Sequence, residues 1–169
     1  NQPTGWASRT PSGGARTDVS KFLADDDEDD DTGATDAGYV YMYDTTDGDL
    51  YDLDHFNPEY WSRFEEFLKL AHERDIVVQV EIWATFDFYR DNWDVNPFNP
   101  RNNMNYTAER TDLPPVVETH PIYCDNPFFW SVPLHQNNMP VLQFQQRFVD
   151  KLLSLSLEYD HVLYCIDNE

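Results

Sequence analysis

The chain has 169 residues, enough for one domain with a real core, and its 40% hydrophobic content fits a globular protein. A net charge of -21 with only 11 Lys and Arg argues against phosphate-backbone binding and against anionic membrane surfaces, because both need cations to neutralise phosphate. No apolar run approaches the roughly 20 residues that span a bilayer, and two cysteines, Cys124 and Cys165, do not make a disulfide framework.

Residues 1–37 are poor in apolar side chains and carry the acidic run 25–31. Like charges at that density repel one another and stay in solvent, so this stretch reads as a polar loop or extension ahead of a domain over 38–169. An EF-hand needs Gly at loop position six and Glu at twelve, and neither register beginning at Asp25 or Asp27 supplies them. Asn1-Gln2-Pro3 has no starting Met and no signal-peptide pattern, so the natural beginning is expected to lie upstream.

Tyr39-Val40-Tyr41-Met42-Tyr43 reads as a short strand, central or in an edge hairpin, and Asp47-Gly48 as the turn after it. Asn57-Pro58-Glu59 is a helix start: amide cap, proline at the first position, acid in the first turn. The spacing of Tyr60, Phe64, Phe67, Leu68 and Ala71 predicts a helix over 58–74. Residues 76–83, Ile-Val-Val-Gln-Val-Glu-Ile-Trp, follow as a strand, with Gln79 and Glu81 on one face and Val78, Val80 and Ile82 on the other. Helix, tight connection, β-branched strand is half of a βαβ unit and implies a parallel sheet. Glu81 belongs either to a buried polar network or to an active site.

Residues 84–138 carry little periodicity, and so long an irregular stretch in a compact domain is usually functional. It leaves the carboxyl end of a strand, where βα loops build sites. Rings interleaved with asparagines match a sugar, whose apolar C–H faces are ringed by hydroxyls. The candidate substrate-binding residues are Trp83, Asp87, Tyr89, Asn92, Trp93, His120, Asn126 and Trp130. No H-x-x-x-H or C-x-x-C spacing marks a metal site, and no cofactor is expected. A second helix, opened by Pro140 with Asn138 just outside it, runs to about Leu157 and buries Leu142, Gln145, Phe148, Val149, Leu152 and Leu153. The chain ends His161-Val162-Leu163-Tyr164-Cys165-Ile166-Asp167-Asn168-Glu169, read as a fully buried parallel strand carrying polar residues at its carboxyl end. With nothing after that glutamate, the sequence is expected to be a piece of a larger domain.

The block Tyr51-Asp52-Leu53-Asp54-His55-Phe56-Asn57-Pro58-Glu59-Tyr60-Trp61 and the closing Asp167-Asn168-Glu169 resemble bacterial cellulase-like (β/α)8-barrel glycoside hydrolases of clan A. The likeness covers about residues 39–169. It implies an α/β fold, a partial TIM barrel holding roughly strands two or three to four, truncated at the C-terminus and at the N-terminus. It implies Glu169 as catalytic general acid/base, Asn168 beside it, a nucleophile on a later strand, a carbohydrate substrate and an extracellular or periplasmic location. On that alignment 39–43 belongs to a loop after strand two. The expected function is retaining hydrolysis of an oligo- or polysaccharide. The alternative is a non-catalytic carbohydrate-binding or scaffold protein on a degenerate barrel. A different α/β enzyme using Glu169 as base or metal ligand ranks last, because no phosphate loop or nucleophile elbow is present.

Overall fold

The computed structural model describes residues 8–10, 13–16, 42–46, 50–120 and 126–168, with backbone alone for 8–10, 13–16, 167 and 168. The acidic run 25–31, Tyr39 to Tyr41, Cys124 and Glu169 lie outside them. The fold is α/β, and its described strands form three two-stranded sheets. β1 (Ser8–Thr10) and β2 (Gly13–Arg16) pair antiparallel inside the stretch expected to be loop. β3 (Tyr43–Thr45) and β4 (Tyr51–Phe56) form a second antiparallel hairpin; of the strand expected at 39–43, Met42 is a bend and Tyr43 alone falls in a strand among the described residues. Thr46 N–H donates to the Leu50 carbonyl at 2.9 Å; the turn expected at Asp47-Gly48 lies outside the described residues.

α1 (Pro58–His72) starts as its sequence dictates: the Asn57 side chain accepts from Glu59 N–H at 3.0 Å, and Pro58 sits where no N–H is needed. Its buried face is Tyr60, Trp61, Phe64, Leu68 and Ala71, with Phe67 half-buried. The helix stops two residues before the expected end, because Asp75 takes a left-handed φ of 54° and turns the chain into β5 (Val78–Ala84). Ile76 and Val77, expected in the strand, precede it and are exposed.

α4 (Met139–Ser156) returns the chain to β6 (Val162–Asn168), which lies parallel to β5 in register from Val78↔Val162 to Ala84↔Asn168. Two shorter helices between them, α2 (Arg90–Asp94) and α3 (Ala108–Thr111), and 3₁₀ segments at Thr85–Phe88 and Pro127–Ser131 break up what read as a structureless loop. The buried face of α4 is Val141, Phe144, Gln145, Phe148, Leu152 and Ser156; Leu142, Val149 and Leu153, expected inside, are half-buried flanks. Buried Gln145 donates to the Phe128 carbonyl (2.8 Å) and accepts from Ser131 Oγ (2.6 Å), fixing the second 3₁₀ segment on α4.

The core centres on Phe148. Its ring lies 4.9 Å from that of Trp83, 6.0 Å from Trp61 and 6.5 Å from Phe98, so one side chain joins α1, β5, the segment 85–138 and α4. β6 departs from the expectation of full burial. Val162 is buried, but Leu163 is 57% and Ile166 73% exposed, because among the described residues β5 is its only neighbouring strand and nothing covers those side chains. Cys165, expected to be buried, is half-buried.

The segment 85–138 is held by asparagine amides turned onto its own backbone. Asn99, fully buried, donates to the Trp93 (2.8 Å) and Pro115 (3.2 Å) carbonyls and accepts from Arg101 N–H (3.0 Å). Asn96 donates to Asp87 and accepts from Phe98; Asn102 donates to Asp94 and Asn96; Asn103 donates to Pro97 and Asn99 and accepts from Asn105 and Tyr106. The segment also grips the hairpin: Tyr51 N–H donates to the Asn102 carbonyl at 2.7 Å, and Met104 N–H to the Tyr51 carbonyl at 3.0 Å.

Two substitutions weigh these forces. Asn99→Ala strands two carbonyls and an N–H and should cost about 2–3 kcal/mol, with Asn99→Asp no better because a carboxylate cannot donate. Phe148→Ala should cost about 3–5 kcal/mol through the cavity it leaves. Urea unfolding of each variant measures both.

Candidate functional site

At the carboxyl end of the parallel pair, the 3₁₀ segment Thr85–Phe88 packs against both β5 and β6. It thereby carries Phe86 and Asp87 to the end of β6. Phe86 is 56% exposed, and its ring meets the edge of Tyr89 at 5.7 Å. Tyr89, half-buried, meets the exposed His120 imidazole at 5.0 Å on another side. The Arg90 guanidinium stands over the Tyr89 ring, 5.6 Å from its centre. Asn92 Nδ2 donates to the Phe86 carbonyl at 2.8 Å and holds the 3₁₀ segment to α2.

Arg90 is also where the backbone is forced. Its φ of 53° is left-handed, a conformation that costs a residue with a Cβ about 1–2 kcal/mol. Its N–H donates to the Val117 carbonyl (2.6 Å) and its Nε to the Glu118 carbonyl (3.3 Å), which secure the irregular stretch leading to His120. Phe86, Tyr89, Asn92 and His120, with Arg90 behind them, therefore form one open surface of rings, an amide and a cation. Such a surface can stack on the apolar face of a ring-shaped ligand and hydrogen-bond its rim.

The other candidates are placed elsewhere or serve packing. Trp83 is half-buried, edge-on to Phe98 and Phe128 and against Phe148. Trp93 is 2% exposed and its indole N–H donates to the Pro114 carbonyl at 2.7 Å. Asn126 is 4% exposed; its Oδ1 accepts from Phe128 N–H at 3.1 Å and caps Pro127–Ser131, while its Nδ2 meets no acceptor among the described residues. Trp130 is half-buried, and its carbonyl accepts from Gln136 and Asn138. Asp87 is half-buried and its carbonyl accepts from Asn96. Glu81 lies opposite Cys165, with Oε1 shielded from solvent. The backbone of Asn168 ends β6 opposite Ala84; its side chain and Glu169 are outside the described residues. Phe86 and Arg90 are the additions. Phe86 was readable as one more ring in an aromatic stretch, whereas nothing in the sequence marks Arg90.

A second polar cluster lies on β4. Asn105 Nδ2 donates to Asp52 Oδ1 (3.0 Å) and Asp54 Oδ2 (3.2 Å), while its Oδ1 accepts from Leu53 N–H (2.7 Å). His55 Nδ1 contacts Asp52 Oδ2 at 2.7 Å, and Arg147 of α4 pairs with Asp54. Asn105, His55 and Arg147 each engage a carboxylate of β4, so the cluster fastens hairpin, segment and helix together. A groove of 260 Å³ between α1 and α4, lined by Phe56, Trp61, Glu65 and Lys151 among others, opens on the helical face.

The chain matches no protein-family model, no curated protein and no solved structure. Among the described residues no helix is long and apolar enough to cross a membrane.

Burial raises the Asp52 carboxyl, but hydrogen bonds from Asn105 and His55 and the nearby imidazole outweigh it and hold the group below its ordinary value of 3.8. A depressed carboxyl adds stability that is complete above the unfolded value and is lost as pH falls through the folded one. Asp52→Asn should therefore flatten the fall of stability below about pH 4, read from urea midpoints between pH 2 and 7. Arg90→Gly should leave the thermal midpoint within a few degrees of the parent, since relief of about 1 kcal/mol in the backbone offsets the lost guanidinium contacts. Calorimetry of that variant checks it.

Proposed function

We propose that this chain is part of a (β/α)8 barrel that hydrolyses glycosides with retention of configuration, β5 and β6 standing as its third and fourth strands. The observation that supports the reading is the parallel register of the two strands, which sets the end of β6 beside the root of an open aromatic surface. The order helix, strand, helix, strand over α1, β5, α4 and β6 is that of a barrel segment. The exposed Leu163 and Ile166 suit a strand with further neighbours, since parallel sheets are ordinarily covered on both faces.

In this reading Glu169, next in sequence after Asn168, protonates the leaving oxygen and then deprotonates the water that attacks the glycosyl-enzyme. The nucleophile, by the resemblance to clan A enzymes, is a second glutamate ending a later strand, about 5–5.5 Å from Glu169. Asn168 hydrogen-bonds the sugar 2-hydroxyl, a contact that strengthens as charge develops in the transition state. Phe86, Tyr89 and His120 bind a neighbouring sugar ring. A carbohydrate-binding role without catalysis draws on the same open rings and requires no second carboxylate.

In the barrel protein, Glu169→Gln should cut turnover of substrates with poor leaving groups about 10²–10⁴-fold and touch activated aryl glycosides far less. Equal turnover on both substrate types would remove Glu169 from the acid role. Tyr89→Ala should weaken oligosaccharide binding about tenfold whether or not the protein is catalytic, as titration calorimetry reads. Turnover by the parent protein separates the enzyme from the binder.

A further inference from the structure

The end of the β5–β6 pair opposite the aromatic surface brings three potential metal ligands together. His72 closes α1, and Asp160 and His161 lie in the turn between α4 and β6. The turn is locked to the neighbouring strand, because Val78 N–H donates to the His161 carbonyl at 3.0 Å. One ligand atom from each of the three side chains lies within 4.8 Å of the other two, and His72 Nδ1 is 3.8 Å from Asp160 Oδ1. The two imidazoles are 5.1 Å apart, and Tyr159 closes the cluster with its ring edge-on to both.

An independent observation points to a ligand there. Both ring nitrogens of His161 are shielded from solvent and have no hydrogen-bond partner among the described residues. An imidazole always carries at least one N–H donor, and when neutral it also carries one acceptor, so a buried histidine is normally matched on at least one side. An imidazole nitrogen with no hydrogen-bond partner, grouped within 4.8 Å of a second imidazole and a carboxylate, is what a metal ion uses.

We infer that His72, Asp160 and His161 bind a divalent transition-metal ion of the zinc class. Two imidazoles and one carboxylate form the borderline donor set that zinc, cobalt and nickel favour, whereas calcium and magnesium seek oxygen ligands throughout. Three protein ligands leave a fourth tetrahedral position for water. Zinc bonds of about 2.0–2.1 Å put ligand atoms about 3.3 Å apart, so the three groups must draw together by about an ångström. The His72 and Asp160 side chains are 55% and 93% exposed and can rotate to do so. The ion would clip the end of α1 to the turn that starts β6, holding the strand pair in register from below. This site does not depend on glycosidase chemistry.

The test takes the full chain freed of metal with a chelator and titrates it with zinc chloride by calorimetry and with cobalt(II) by visible absorption. One zinc per chain, intense visible bands of tetrahedral cobalt, a higher thermal midpoint with zinc and no competition from excess magnesium or calcium are expected. Loss of a ligand should weaken zinc binding about tenfold or more in His72→Gln and in His161→Gln and abolish the cobalt bands. Asp160→Asn, at an exposed position that cannot disturb the core, should weaken zinc in the same way and keeps the test decisive if the His161 variant does not fold. Absence of saturable binding overturns the proposal. So does zinc binding that persists undiminished in His72→Gln and Asp160→Asn, since the ion would then be held by the acidic surface.

Discussion

The buried peptide groups of the described residues between 85 and 138 must find partners without the help of a long helix or a sheet, and that constraint shapes the rest of this molecule. Asparagine meets it best among the side chains, since its amide is a peptide group on a short tether, able to donate twice and accept at the same time. Asn96, Asn99, Asn102 and Asn103 use that capacity in series, each capping carbonyls left by the previous turn. The result is an irregular segment whose turns are closed by side-chain amides around Asn96, Asn99, Asn102 and Asn103. Only on such a base can Phe86 and Tyr89 be held open to solvent at fixed spacing.

The apolar counterpart of this network is the ring stack running from Trp61 through Phe148, Trp83 and Phe98 to Phe128 and Phe88, the last two stacked at 4.1 Å. The two systems divide the labour. Rings tie helices, strand and segment into one body; amides decide the path of the segment between its anchors.

The regular elements were largely legible because their signals are local. Asn57-Pro58 announced α1, and the Val-rich run announced β5. Tyr51-Asp52-Leu53-Asp54 alternates apolar and polar residues as a half-buried strand does, so β4 carried a readable signal that the adjacent helix start overshadowed. The buried stripe of α4 was displaced onto Val141 and Phe144, since Leu142 and Val149 are as apolar as their neighbours and only the partner surface decides between them. Composition could say that asparagines and rings coexist in 84–138. It could not say that most of the amides face inward to their own backbone, nor that His72 meets Asp160 and His161 across most of the chain length. Those outcomes depend on long-range register, which has no counterpart in spacing.

The surface of this protein is heavily acidic, with a net charge of -21. Electrostatic fastenings on such a surface weaken when salt screens them or acid protonates them. Carboxamides neither titrate nor carry charge. The most irregular part of the molecule is therefore tied by groups indifferent to ionic conditions, and its shape should persist from brackish to dilute surroundings and across mild acidity, even as the acidic exterior gains and loses its counterions.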